Sequence, residues 1–394
     1  MPRADSPDNS DVYGLDAMAQ AKLAALAAKA LLRTPVETAR DGVWVERGGK
    51  RLLSFSCNDY LDLSHHPAVK QAAMDAIQRY GVGAGASRLV TGNHPLYAAL
   101  EARLAALKGT EAAMVFGSGY LANVGIIATL IGANDVVFVD ELAHNCILAG
   151  AAMSGAAAHT FRHNDCGHLA DLLKAERGKH RHALIATDGV FSMDGDLAPL
   201  PALAALGDAH DAWLLADDAH GVGVVGGGRG SSFAFTPPPR VPLQMGTLSK
   251  AVGGYGGYLC ASKPVIDLLK SRAASFVYST GLPPATVAAA SAALDIIAHA
   301  PAAVAKPLAK ARLFTTALAL AAAQSAIVPV VLGDTKKALA AAALLESEGF
   351  LVAAIRPPTV PQNTARLRVT FSAAHDDADI LRLADVIKTR VLSA

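Results

Sequence analysis

Between Ala112 and Thr280 short apolar runs rich in β-formers alternate with segments of helical period. The runs are AAMVF, DVVFVD, HALIATD, AWLLADD, PLQMGT and GYLCAS, separated by stretches such as LANVGIIATLI and LADLLKAE. This alternation predicts an α/β domain whose mainly parallel sheet is covered on both faces. Ligands on such sheets bind beyond the carboxyl ends of the strands, so chemistry is sought there. Upstream, residues 18–40 read as an amphipathic helix, followed by a strand pair turning at Gly48-Gly49. After Pro283-Pro284 the pattern changes to two Ala-rich helices, the strand AIVPVVLG, a helix, the strands LVAAIR and ARLRVTFSA, and a last helix from Asp377. We therefore expect an N-terminal segment (1–55), a large domain (56–283) and a smaller C-terminal α+β domain (284–394).

Composition narrows the function classes. The 394 residues carry a formal net charge of +1, which removes the electrostatic argument for nucleic acid or an anionic membrane as partner. Much of the apolar half is alanine, and charged or polar breaks interrupt every long apolar stretch, so no membrane span is expected. The opening MPRADSPDNSD has no basic-then-apolar signal layout and reads as a short disordered leader of a cytoplasmic protein. Four scattered cysteines read as reduced thiols. His163, Cys166 and His168 match no standard zinc spacing, and a polar turn is the better reading; no metal is expected.

Four strand ends finish in unusual polar groups. AAMVF runs into Gly117-Ser118-Gly119-Tyr120 and then a helix, a turn whose exposed N–H groups suit a phosphate. A dinucleotide site is the rival there, with Asp140 as the ribose acid, but the third glycine of that fingerprint is missing. Asp217 closes an apolar strand, with His220 three residues on. A carboxylate there needs a cation or donors, and a pyridinium N–H would serve; a turn aspartate is the bland alternative. TDGVFSMDGD sets Asp188, Ser192, Asp194 and Asp196 beside the same edge. Lys250 follows Thr247-Leu248-Ser249 among five glycines. Desolvation there would lower its pKa and make it an imine-forming amine, whereas a solvated lysine is the plain reading of that segment alone.

Taken together, a phosphate turn, an aspartate for a ring nitrogen and a later lysine resemble the fold-type-I pyridoxal-phosphate transferases in order. NDYLDLSHHP, GASRLVTGN, DGVFSMDGD, DDAHGVGVVG, GTLSKAVGGYGG and YSTGLPPA are similar to the signatures of the α-oxoamine synthases, from about residue 20 to the end. Ala354–His375 is similar to the 8-amino-7-oxononanoate synthase subgroup. The resemblance implies a pyridoxal 5'-phosphate-dependent C-acyltransferase of biotin biosynthesis, with L-alanine and a pimeloyl thioester (CoA or carrier protein) as substrates and a homodimer with shared active sites. It implies Lys250 as the Schiff-base lysine, Asp217 at the pyridine nitrogen, His220 and Ser192 at the ring oxygen, and His144 stacked over the ring. Gly119, Tyr120, Thr247 and Ser249 would hold the phosphate, with Thr280 reaching that of the neighbouring subunit. Arg368 with Asn58 would hold the substrate carboxylate, Arg366 being a lesser candidate, and Thr359 and Arg33 would contact substrate. The chain departs from the family pattern at Asp62 (usually Gly), Asp188 (commonly Glu), Ala143 and Tyr97. A sister synthase using glycine, a nicotinamide dehydrogenase and a cofactor-binding but inactive subunit are the competing readings.

Overall fold

A computed structural model describes residues 12–29 and 31–393. The leader expected at residues 1–11 lies outside them. Two compact units are present, one of Met1–Ala39 with Glu46–Lys50, the other of Arg40–Val45 with Arg51–Ala394. In the first, the helix is Val12–Ala28, shorter at its C-terminal end than expected, and residues 31–38 form no regular secondary structure. Pro35 bars a helix from running through to residue 40, since its ring and missing N–H oppose helix there and disfavour the helical conformation at Thr34. The glycine turn is as expected: Gly48 and Gly49 have φ of +56° and +73°, between strands Trp44–Arg47 and Lys50–Ser54.

The second unit is built on a seven-stranded sheet. Its strands in chain order are β1 (Ala112–Phe116), β2 (Val136–Asp140), β3 (Ala157–Phe161), β4 (Ala183–Asp188), β5 (Trp213–Asp217), β6 (Leu243–Thr247) and β7 (Gly257–Ala261). In space they run β1-β7-β6-β5-β4-β2-β3. The five from β6 to β3 are parallel, and β7 is antiparallel to both β6 and β1. Six of the seven coincide with the apolar runs read from the sequence. The seventh, β3, was missed because it is an edge strand whose AAHTF alternates between half-buried and exposed positions. Every residue of β2, β4, β6 and β7 is buried, as a sheet covered on both faces requires. One covering layer holds Ile126, Ile127 and Ile147, the other Leu169, Leu173 and Leu203.

The helix that follows the proline pair, Pro284–His299, packs on Pro67–Tyr80 and Leu96–Lys108 beside the large sheet. Beyond it, an antiparallel sheet of Ile327–Gly333, Ala365–Thr370 and Ala353–Ile355 carries its own core of Phe314, Leu345, Leu367 and Phe371. Asp62, where the family resemblance expects glycine, has φ of +56°. That conformation favours glycine, and aspartate is among the few other residues that adopt it readily.

Immediately after β5 a charge pair is sealed in at Asp218. The Lys108 side chain is fully buried and donates to Asp218 and, at 2.6 Å, to the Arg229 carbonyl. The other Asp218 oxygen accepts the Ser231 N–H at 2.9 Å. Lys108→Met keeps the volume but leaves Asp218 buried without its cation, which costs about 3–5 kcal/mol. The expected result is a lowered denaturation midpoint, partly restored in the Lys108→Met/Asp218→Asn double variant; an unchanged midpoint in the single variant refutes the role.

Candidate active site

The carboxyl ends of β4, β5 and β6 bring three ionisable side chains to one place. Asp188 closes β4, Asp217 closes β5, and Lys250 follows β6 by three residues. β1 contributes the glycine turn from the other side of β7. Lys250 Nζ lies 2.7 Å from His220 Nε2, whose Nδ1 lies 2.7 Å from the Tyr60 hydroxyl. Asp217 is 5% exposed and its two oxygens accept from Asn123 Nδ2 at 2.7 Å and from the Ala219 N–H at 3.0 Å. Asp188, 3% exposed, accepts the His144 N–H at 3.0 Å. His144 caps the helix Asn145–Ser154 and stands at the opening with an exposed flank.

Burial dominates the electrostatics. It pushes Lys250 down to about 8, against the pull of Asp217 and then Asp188, with Arg368 assisting. Asp188 is raised well above the usual carboxylate range, first by burial and then by the charge of Asp217. His220 is held well below its ordinary value by burial and by the cations Lys250 and Arg368. The cluster thus holds an amine that is deprotonated over an accessible pH range, next to a carboxylate with backbone and amide donors.

The glycine turn is equally well built. Ser118 caps the helix Gly119–Leu130 by accepting the Leu121 N–H at 3.2 Å, leaving the first-turn N–H groups directed outward. Gly119 sits over the end of β6: a Cβ there would stand 3.6 Å from Thr247 Cβ and 3.3 Å from Met245 Cε. The Thr247 hydroxyl donates to the Gly256 carbonyl at 2.7 Å and lies 2.6 Å from the Ser249 hydroxyl. A helix N-terminus and two hydroxyls therefore meet beside Lys250.

Arg368 and Arg366 project from one face of strand Ala365–Thr370, as period two requires, with opposite fates. Arg366 is bound to Asp194 and to the Met193 carbonyl at 3.4 Å, so it is a structural ion pair. Arg368 donates to the Ser192 carbonyl at 2.5 Å and to Asn58 Oδ1 at 3.3 and 3.4 Å, and no carboxylate pairs with it among the described residues. It keeps binding capacity for an incoming anion.

The other expected site residues are exposed in the single chain. Tyr120 is half exposed on the first turn of its helix. Thr280 is exposed and bridged to Ser87. Thr359 is exposed just past Pro357-Pro358, its N–H on the Arg356 carbonyl at 3.1 Å, and Arg33 is exposed in the irregular stretch of the first unit. The acid pair expected at the site is used in the scaffold: Asp194 by Arg366, and Asp196 by His163 at 2.9 Å. His163 also meets Asp140 at 3.1 Å, so the histidine turn is held by carboxylates. Asp140 is fully buried, and its other oxygen accepts the Asn164 N–H at 2.8 Å, which removes it as a ribose acid. Sequence reasoning missed Asn123, Cys146 and Tyr60. Asn123 lies one helical turn after Gly119 and so shares its face, a signal that was available.

Residues 50–387 match the family of class I and II aminotransferases. An 8-amino-7-oxononanoate synthase of Beijerinckia indica is 64% identical over 95% of this chain and 97% of its own. Among solved structures, a serine palmitoyltransferase with a pyridoxal-phosphate internal aldimine superposes with a TM-score of 0.85 at 29% identity, covering 96% of this chain and 97% of that one. The 8-amino-7-oxononanoate synthase of Francisella tularensis gives a TM-score of 0.73 at 26% identity, covering 87% and 98%. The fold and site thus define a fold-type-I transferase, the class expected from the sequence. More narrowly, the chain belongs to the 8-amino-7-oxononanoate synthase family.

The lowered amine gives a direct test. In cofactor-free protein, the rate of reductive methylation of Lys250 by formaldehyde and borohydride should rise with pH and level off above about 8, against about 10.4 for an ordinary lysine. Removing a negative neighbour favours the neutral amine, so Asp217→Asn should move that midpoint lower still. Peptide mass spectrometry reads the label; a midpoint near 10.4, or one that rises in the variant, contradicts the electrostatics described.

Proposed function

We propose that this protein condenses L-alanine with a pimeloyl thioester, releasing CO2 and the thiol carrier, to form 8-amino-7-oxononanoate in biotin biosynthesis. Its cofactor is pyridoxal 5'-phosphate, and the observation that carries the reading is the lowered amine of Lys250 facing the buried carboxylate of Asp217. Lys250 would hold the cofactor covalently, Asp217 its ring nitrogen, and Gly119, Tyr120, Thr247 and Ser249 its phosphate. Ser192 and His220 would face the ring oxygen. When bound, the cofactor supplies an electron sink for the α-carbon of the amino acid.

The chain's own residues do the rest. The free Lys250 amine, with a pKa pushed down to about 8, would remove and return the proton at the α-carbon. Asp217 stays oriented by Asn123 and the Ala219 N–H. His220 is kept neutral by its surroundings and takes part in a chain from Lys250 to Tyr60. Arg368, steadied by Asn58 and the Ser192 carbonyl, takes the alanine carboxylate. His144 covers the open face, and Thr359 and Arg33 are assigned to substrate.

A homodimer in the cytoplasm, with Thr280 reaching the partner's phosphate, completes the proposal. The Ser87–Thr280 bridge sets the loop with exposed Leu89 (56%) and Val90 (74%) beside exposed Tyr278 (87%), an apolar rim suited to burial against a second copy. Among the described residues, no single helix is long and apolar enough to cross a membrane.

The test is product mass from L-alanine, glycine or L-serine, each with pimeloyl-CoA and palmitoyl-CoA. Only alanine with the pimeloyl thioester should give efficient thiol and CO2 release; preference for glycine or for palmitoyl-CoA assigns a sister activity instead. Lys250→Ala should keep the melting temperature within a few degrees and lose at least ~10³-fold in turnover. Near-normal turnover in a verified variant rejects its role.

A further inference from the structure

Two residues that the sequence did not single out link the acid to the cap. Asn123 Nδ2 donates to Asp217 Oδ2 at 2.7 Å and approaches Cys146 Sγ at 3.0 Å. Cys146 Sγ in turn lies 2.8 Å from His144 Nδ1. Both Asn123 and Cys146 are buried, at 0% and 2% exposure.

The proton positions follow from the surroundings. Asn123 Oδ1 is buried with no hydrogen-bond partner among the described residues. Turning the amide would satisfy nothing and would set an oxygen against the Asp217 carboxylate, so both N–H groups face Asp217 and the sulfur. His144 Nδ1 accepts the backbone N–H of Cys146 at 3.3 Å, as the cap of its helix. That contact is long, and the shorter one, at 2.8 Å, comes from the thiol, whose pKa burial and the charge of Asp217 push up to about 12, so the thiol retains the proton it donates and is what holds the lone pair on Nδ1. A neutral imidazole with Nδ1 accepting has its proton on Nε2, the atom left for a ligand. Partial burial also lowers the pKa of the ring, with Asp217 opposing and Lys250 assisting.

We propose that Asn123 and Cys146 are positioning residues that join Asp217 to His144 in one directed hydrogen-bond relay and fix the imidazole with its proton on Nε2. The inference rests on the site proposed above and extends it. The titratable or charged groups around the ring are Asp217 and Asp188 at the strand ends, Lys250 and His220 across the pocket, and Cys146 on its own helix. Each donor in the relay has one acceptor, so cutting it at the sulfur removes a donor from Nδ1 and an acceptor from Asn123 together.

Full-length holoenzyme labelled with ¹⁵N-histidine reads the tautomer and titration of His144, its signals identified by their loss in His144→Asn. Cys146→Ser preserves donor and acceptor and should keep the Nε2–H form, the ring pKa and turnover within about twofold. Cys146→Ala and Asn123→Ala should raise the ring pKa by about one unit. They should also populate the Nδ1–H form and lower kcat about tenfold with KM for L-alanine changed less than about threefold. An alanine variant with wild-type tautomer and ring pKa, or a serine variant as impaired as the alanine one, overturns the relay. If Cys146→Ala does not fold, Asn123→Ala decides alone by the same readings. The tautomer is read without turnover, so a failed substrate assignment shows as missing product with the relay intact.

Discussion

The structure turns on keeping one amine and two carboxylates out of water at the end of a buried sheet. Burial disfavours the charged forms of Lys250 and Asp188, and the attraction between the amine and the carboxylates offsets only part of that cost. The outcome is divided: Lys250 falls to about 8 while Asp188 rises well above the usual range. Asp217 receives two donors, from Asn123 and from the Ala219 backbone. A site arranged this way is electrostatically incomplete, and a ligand bringing an aldehyde, a cationic ring nitrogen and a phosphate supplies what each part lacks.

The sheet topology makes this possible without distortion. Strands β4, β5 and β6 are parallel neighbours, so their last residues share one edge. β7 runs the other way between β6 and β1, which places its first residue, Gly257, against the phosphate turn. A Cβ at Gly257 would stand 2.4 Å from the Ser118 carbonyl oxygen, so only glycine lets the turn lie this close. The turn and Lys250 thus come together although more than a hundred residues separate them in sequence.

Much of this was legible in the chain because the large-domain signals are strong. Apolar runs ending in Asp188, Asp217 and Thr247 mark both the strands and their carboxyl ends. The misses have physical causes. Strand β3 lies at the sheet edge, where two of its five residues are exposed and the hydrophobic pattern fades. Asp194 and Asp196 looked functional because their sequence places them beside the site, but their partners, Arg366 and His163, come from distant segments that spacing cannot reveal. Period two put Arg366 and Arg368 on one face correctly, and only tertiary structure tells which has a carboxylate already. Asn123 and Cys146 belong to apolar helices and read as core until the Asp217 and His144 side chains are in place.

The histidines show how the same side chain is steered in opposite directions within one sheet edge. Burial opposes a charge on His163, but hydrogen bonds to Asp140 and Asp196 outweigh it and raise the ring to about 10. That ring is a cationic strut between the β2 end and the loop after β4, with its charge compensated on both sides. His220 meets the reverse balance: burial is joined by Lys250 and Arg368, and it stays neutral. Asp140 and Asp196, saturated by His163, hold the scaffold, whereas Asp188 and Asp217 are left to work on Lys250. The distinction between support and chemistry along this edge is therefore set by where cations are supplied in excess, not by which residue types are present.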